Sequence, residues 1–172
     1  MPDFPPLSEA GTGFVAGGLR SRRCRPADFP FLQRLYRHSR ADELAGTGWS
    51  EQDKKRFCEQ QFAAQHSDFV HRYPHGDFLL LQRGREPVGR FYVDLSGPVR
   101  HVIELTLHPA HRNRGLGTAI LGEVQRRAAL AGCAMTLSVA FDNPRAEALY
   151  RRLGFVETTV APTRRQMVWT PP

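Results

Sequence analysis

The sequence predicts a single α/β (α+β) domain, a mixed and mostly antiparallel central sheet of six to seven strands with helices on both faces. Three observations lead there. Helical and strand periods alternate along the chain, most clearly in its second half. Gly84-Arg85 and Gly97-Pro98 join strand-like runs directly, which makes neighbouring strands antiparallel. A length of 172 residues with 41% hydrophobic and 24% charged residues suits one ordinary core.

Residues 1–18 are rich in Gly and Pro and are expected to form a flexible leader or a loose first strand, with the domain spanning 19–172. The domain opens with a short strand over 19–24. A helix follows, with Phe29, Leu32, Leu35 and Tyr36 on one face. Residues 40–49, with Gly46 and Gly48, are expected to be a loop. Ser50 and Asp53 form an acidic variant of the capping box and open a second helix. That helix carries Phe57, Gln61 and Phe69 to about His71 and is ended by Pro74.

Strands follow over 77–82, 88–95 and 101–107, the last stopped by His108-Pro109. The helix expected over 115–131 lines up Leu116, Ile120, Leu121, Val124 and Ala128, and Gly132 closes it. An apolar strand over 135–139, a helix from Asn143-Pro144 to Leu153-Gly154, and strands over 155–159 and 166–170 complete the chain.

Composition narrows the function. Net charge is +7, carried by 22 Arg and only two Lys. The basic residues are dispersed and no aromatic-rich recognition motif accompanies them, so no nucleic-acid partner is expected. Arginine does suit bidentate phosphate contacts, although a GC-rich coding sequence also enriches it. Cys24, Cys58 and Cys133 are odd in number and far apart, which argues against a disulfide framework and a structural zinc. No metal is expected. No apolar run approaches the ~20 residues that cross a bilayer, and the first residues lack a secretory pattern. A cytoplasmic location without a membrane partner is the expectation.

The most informative stretch is Arg112-Asn113-Arg114-Gly115-Leu116-Gly117, between a strand and a helix start. A helix N-terminus leaves backbone N–H groups without intrahelical partners and carries about half a positive charge. Glycines at 115 and 117 allow close approach of an anion and positive φ. The stretch therefore reads as a phosphate cradle with Arg112 and Arg114 at its rim. It has no Gly-Lys-Ser/Thr and no third glycine of a dinucleotide fingerprint.

These residues resemble the GNAT superfamily of acyl-CoA N-acyltransferases. Leu105-Thr106-Leu107-His108-Pro109 followed by Arg112, Gly115 and Gly117 matches its first signature, and Asn143-Pro144-Arg145-Ala146 leading to Tyr150 and Leu153-Gly154-Phe155 matches its second. The resemblance is strongest over 101–160. It implies acetyl transfer from acetyl-CoA to a primary amine by direct attack within a ternary complex. It also implies a V-shaped splay between the fourth and fifth strands that admits the coenzyme's pantetheine arm. The coenzyme-binding set it implies is Leu105, Thr106, Leu107, Arg112, Asn113, Arg114, Gly115, Leu116, Gly117, Thr118, Asn143 and Tyr150. Tyr150 would give a proton to the leaving thiolate.

The catalytic candidates beside Tyr150 are His101 and Glu104, either of which could take the amine's proton. They lie on opposite strand parity, and a β-bulge would reverse that phase. They equally fit a solvent-facing histidine and a carboxylate paired with an arginine. Ser138 stands where relatives acting on protein N-termini often carry Glu, which speaks against that role. His38, Asp42, Glu43 and Trp49 are candidates for lining the acceptor site, for a small-molecule or peptide amine. A coenzyme-binding regulatory module without turnover is the alternative function, and the assembly is left open, with a homodimer among the possibilities.

Overall fold

Turn chemistry sets up the antiparallel half of the sheet. In the computed structural model, which describes residues 1–6 and 13–172, strand β3 (Asp77–Arg83) meets β4 (Glu86–Asp94) across Gly84-Arg85, with Gly84 at φ +60°. That left-handed value costs glycine little. Strand β5 (Val99–Leu107) then pairs antiparallel with β4. Before them come β1 (Val15–Ala16) and β2 (Leu19–Arg23). After them come β6 (Ala134–Ala140), β7 (Val156–Val160) and β8 (Arg164–Trp169). Among the described residues the sheet has eight strands in the order β1-β2-β3-β4-β5-β6-β8-β7. Within it β5 with β6 is the parallel pair.

Alternation along β3 divides the core between two faces. Leu79 and Leu81 join Val93, Val102, Leu116, Ile120 and Leu121 under helix α4 (Leu116–Leu130), where α5 (Pro144–Arg152) also packs. Phe78 and Leu80 join Leu32, Tyr36, Phe62 and Tyr92 under α1 (Phe29–Ser39) and α3 (Glu51–Arg72). Full burial of each such side chain contributes roughly 1.5–3 kcal/mol, so apolar burial holds the helices on both faces.

Three expectations need correction. Residues 41–45 of the expected 40–49 loop form a short helix, α2 (Ala41–Ala45), because Leu44 is drawn into the α1–α3 core. Helix α3 starts as read, with Ser50 Oγ accepting from the Asp53 amide. It buries Cys58, Phe62 and His66, however, while Gln61 is exposed. Aromatic neighbours decide this: Phe62 lies against Phe29 and Tyr36, and the His66 ring sits 4.8 Å from that of Phe4. The stretch expected as a leader or loose first strand is partly built in, with Val15–Ala16 as a short strand. Phe4, Phe14 and Ala16 are buried, since three apolar side chains gain more from the core than from water. Residues 7–12 of that stretch lie outside the described residues.

Candidate active site

The site begins where β5 and β6 stop pairing. Their parallel register joins 99–102 to 134–137 and goes no further. Beyond it β5 continues to Leu107 against β4, and β6 continues to Ala140 against β8. The two strands therefore diverge, and residues 103–107 of a central strand are all only half-buried. Main-chain groups facing this gap have no strand to bond, which suits an extended ligand arm.

The cradle lies at the open end of the gap. Arg112 Nε donates to the Leu107 carbonyl at 2.9 Å, tying the loop to the end of β5. Asn113 and Gly115 take φ of 60° and 73°. Such left-handed turns let successive N–H groups converge on an anion. Leu116 is buried in the core and anchors the helix start, so only its main chain serves the loop. The first intrahelical bond is from the Ala119 amide to the Gly115 carbonyl at 3.0 Å, which leaves the amides of Leu116, Gly117 and Thr118 without intrahelical acceptors. Arg114 and Thr118 are exposed at the rim.

The glycines divide their work differently from the sequence reading. Gly115 supplies the positive φ. Gly117 is helical, and a Cβ there would come within 3.0 Å of Leu149 Cδ2, so its role is to let α5 approach α4. The second left-handed residue is Asn113, a residue type that tolerates this region. Arg145, missed as a site residue, lies near enough to act on Arg112. Burial first and Arg145 second push the Arg112 guanidinium below its ordinary pKa, with Asp42 acting in the opposite direction. Two cations crowding one loop mark a place that an anion would relieve.

Tyr150, on α5, approaches the gap from the α4 face. Its ring packs edge-on against Phe155, with centroids 6.0 Å apart. Burial, then the nearby Glu104 charge, pushes the phenol up to about 12. It therefore keeps its proton throughout the physiological range. Asn143 caps α5, its Oδ1 accepting from the Ala146 amide at 3.1 Å.

A bulge resolves the parity of β5. Tyr92 pairs with Glu104 and Val93 with Val102, so Ile103 is the inserted residue. Val102, Leu105 and Leu107 consequently pack on the α4 side, while Glu104 lies on the α1–α3 side against Arg90. His101 occupies that same side, its ring stacked 5.5 Å from that of Tyr73, the residue that caps the end of α3. Its Nδ1 is 2.9 Å from Thr136 Oγ1, at the paired end of the strands, and burial lowers its pKa. Glu104 Oε1 receives hydrogen bonds from Thr106 Oγ1 and, at 3.4 Å, from Arg90. Among the described residues no hydrogen bond reaches Oε2.

The acceptor candidates are not gathered together. His38 meets His108 edge-on at 4.9 Å, and burial, then His108, lowers its pKa. Asp42 is close enough to act on Arg112. Glu43 is spent in an exposed pair with Arg40 at 2.6 Å. Trp49 is exposed and lies edge-on to Phe57, 5.1 Å away. Ser138 is engaged by Arg164 Nε at 3.0 Å.

Comparison with known proteins agrees with this geometry. The family model described as acetyltransferase (GNAT) family matches residues 32–155. A mycothiol acetyltransferase from Frankia casuarinae is 38% identical over 80 residues, 45% of this chain and 23% of that protein. The match thus spans under a quarter of that relative's length. A PaiA N-acetyltransferase from Thermoplasma acidophilum, crystallised with coenzyme A, superposes with a TM-score of 0.68 at 16% identity, over 88% of this chain and 98% of that one. An acetyltransferase from Thermus thermophilus gives a TM-score of 0.64 at 25% identity, over 88% and 96%.

Proposed function

The chain belongs to the acetyltransferase (GNAT) family, and from that premise we propose that it transfers an acetyl group from acetyl-CoA to a primary amine. The observation that carries this reading is the β5–β6 gap opening onto the N-terminus of α4. The pyrophosphate of the coenzyme rests on the amides of 112–118, with Arg112, Arg114 and Arg145 around it. Its pantetheine arm runs along 105–107 as an added strand, reaching Asn143 on the other side.

Chemistry then divides between the two faces of the gap. On the α1–α3 face the ammonium group of the acceptor docks on Glu104 and loses its proton to solvent. The neutral nitrogen attacks the thioester carbonyl carbon, a C–N bond forms and the C–S bond breaks. On the α4–α5 face Tyr150 gives its proton to the departing sulfur. The proton that nitrogen sheds on becoming an amide restores the phenol. His101, held by Thr136 and Tyr73, shapes the pocket and takes no proton.

Release of free thiol from acetyl-CoA across a panel of primary amines tests this. Amine-dependent release is expected, with kcat/KM rising with pH along the acceptor's own amine ionisation. Comparing two amines of different pKa, the rise should move with the amine and survive His101→Ala. A rise fixed at a histidine-like pH of about 6.5 and lost in His101→Ala would reassign the proton step. No amine-dependent release from any member of the panel would remove the proposal.

A further inference from the structure

Arg90 is the least expected residue in the core. It sits in β4 within the run Val88-Gly89-Arg90-Phe91-Tyr92-Val93 and is 2% exposed. A cation so placed is costly unless something on the protein compensates it. Its guanidinium lies over the rings of Tyr92 and Phe62, 5.2 and 5.7 Å from their centroids. One of its terminal nitrogens donates to Gln65 Oε1 at 2.7 Å and to Glu104 Oε1 at 3.4 Å. Burial works against its charge, but Glu104, then Tyr92, outweigh this and hold its pKa above the ordinary value.

Structural duty alone does not explain the choice. An apolar side chain of similar volume would fill this site at no desolvation cost. What arginine adds is a fixed positive charge under one oxygen of a carboxylate that is itself 24% exposed at the edge of the gap. The groups surrounding Glu104 are Arg90 and Tyr92 from β4, Gln65 from α3, Thr106 on its own strand and, across the gap, Tyr150. Tyr36 of α1 and Cys24 stand behind Arg90 and Tyr92. Burial pushes Tyr92 and Cys24 up, the thiol to about 12, so both stay neutral and Arg90 is the fixed charge of the cluster.

We propose that Arg90 is a positioning residue for the acceptor site: it pins Glu104 through Oε1, so that Oε2 faces a primary alkylammonium acceptor. This rests on the reading of Glu104 given above. Arg90 touches neither substrate and acts only through Glu104. The device selects for amines that arrive charged, because a carboxylate held in one place makes a directed charge-assisted contact with an ammonium group.

The experiment measures the amine KM and kcat at neutral pH, with acetyl-CoA Kd and thermal melting alongside, using a primary alkylamine that the wild type accepts. Glu104→Gln should raise the amine KM at neutral pH at least about tenfold, as loss of a charged contact does. In Arg90→Met the amine KM at neutral pH should rise at least about tenfold, since Glu104 loses the contact that fixes Oε1. Acetyl-CoA Kd and kcat should not change, and Arg90→Lys should recover most of the loss. Combined with Glu104→Gln, Arg90→Met should add nothing to the amine KM. Arg90→Gln is smaller and uncharged and carries the same expected rise in amine KM if the Met variant does not fold.

An amine KM in folded Arg90→Met or Arg90→Gln equal to the wild type overturns the proposal, as does additivity with Glu104→Gln. Failure of the underlying reading looks different: Glu104→Gln itself would then leave the amine KM unchanged. If Glu104→Gln is damaging and the Arg90 variants are neutral, the acceptor site stands and the role of Arg90 falls.

Discussion

Tyr150→Phe should lower kcat about 10²-fold, the usual consequence of removing a general acid. The ring still packs on Phe155, so the helix and the neighbouring gap keep their shape. Acetyl-CoA affinity by calorimetry should therefore match the wild type, and the loss should appear in kcat and kcat/KM alike. The wild type carries a second signature of the same role. With the phenol pushed up to about 12, the donor stays protonated across the assay range, so kcat should show no alkaline fall from this group below about pH 10. An unchanged kcat in a folded Tyr150→Phe protein, measured with a verified acceptor, would make the tyrosine a packing residue only.

Gly115→Val should weaken acetyl-CoA binding at least tenfold, or about 1.4 kcal/mol, with the sheet intact. A β-branched residue at φ +73° is strained, at a cost on the order of 1–3 kcal/mol. Relief would turn the amides of the helix start away from the position where a pyrophosphate rests. An added Cβ there meets no other atom within 4 Å, so the core has no reason to respond. Gly117 is a poorer probe because its replacement presses on Leu149 and disturbs the α4–α5 contact as well. Wild-type coenzyme affinity in folded Gly115→Val would separate the loop from the pyrophosphate.

What could be read in advance was local. The Gly84-Arg85 turn, the Ser50 cap, the stop at Pro109 and the helix from Leu116 each depend on a few adjacent residues. The two sequence motifs fell on either side of the gap because loop and helix starts carry their own chemical marks. What stayed hidden depends on partners distant in sequence. Ile103 looks like any strand residue, and its bulge is defined only against Tyr92 and Val93. Residues 41–45 are a helix because Leu44 finds a place among α1 and α3. The buried face of α3 follows aromatic partners that no helical period specifies, and Gly117 is explained only by Leu149. Arg90 did carry a signal: a lone charge inside an apolar run of strand residues asks for a buried partner, and Glu104 is that partner.

Amide hydrogen exchange with and without acetyl-CoA tests the central claim, that the gap between β5 and β6 is the seat of the coenzyme. Residues 103–107 have no partner on the β6 side, and the amides of 116–118 have no intrahelical acceptors, so both segments should gain protection when the arm adds as a strand and the pyrophosphate meets the loop. Residues 79–81, in a strand already buried and paired on both sides, should not change. Saturating acetyl-CoA that leaves exchange at 103–107 and 112–118 unaltered would contradict the account.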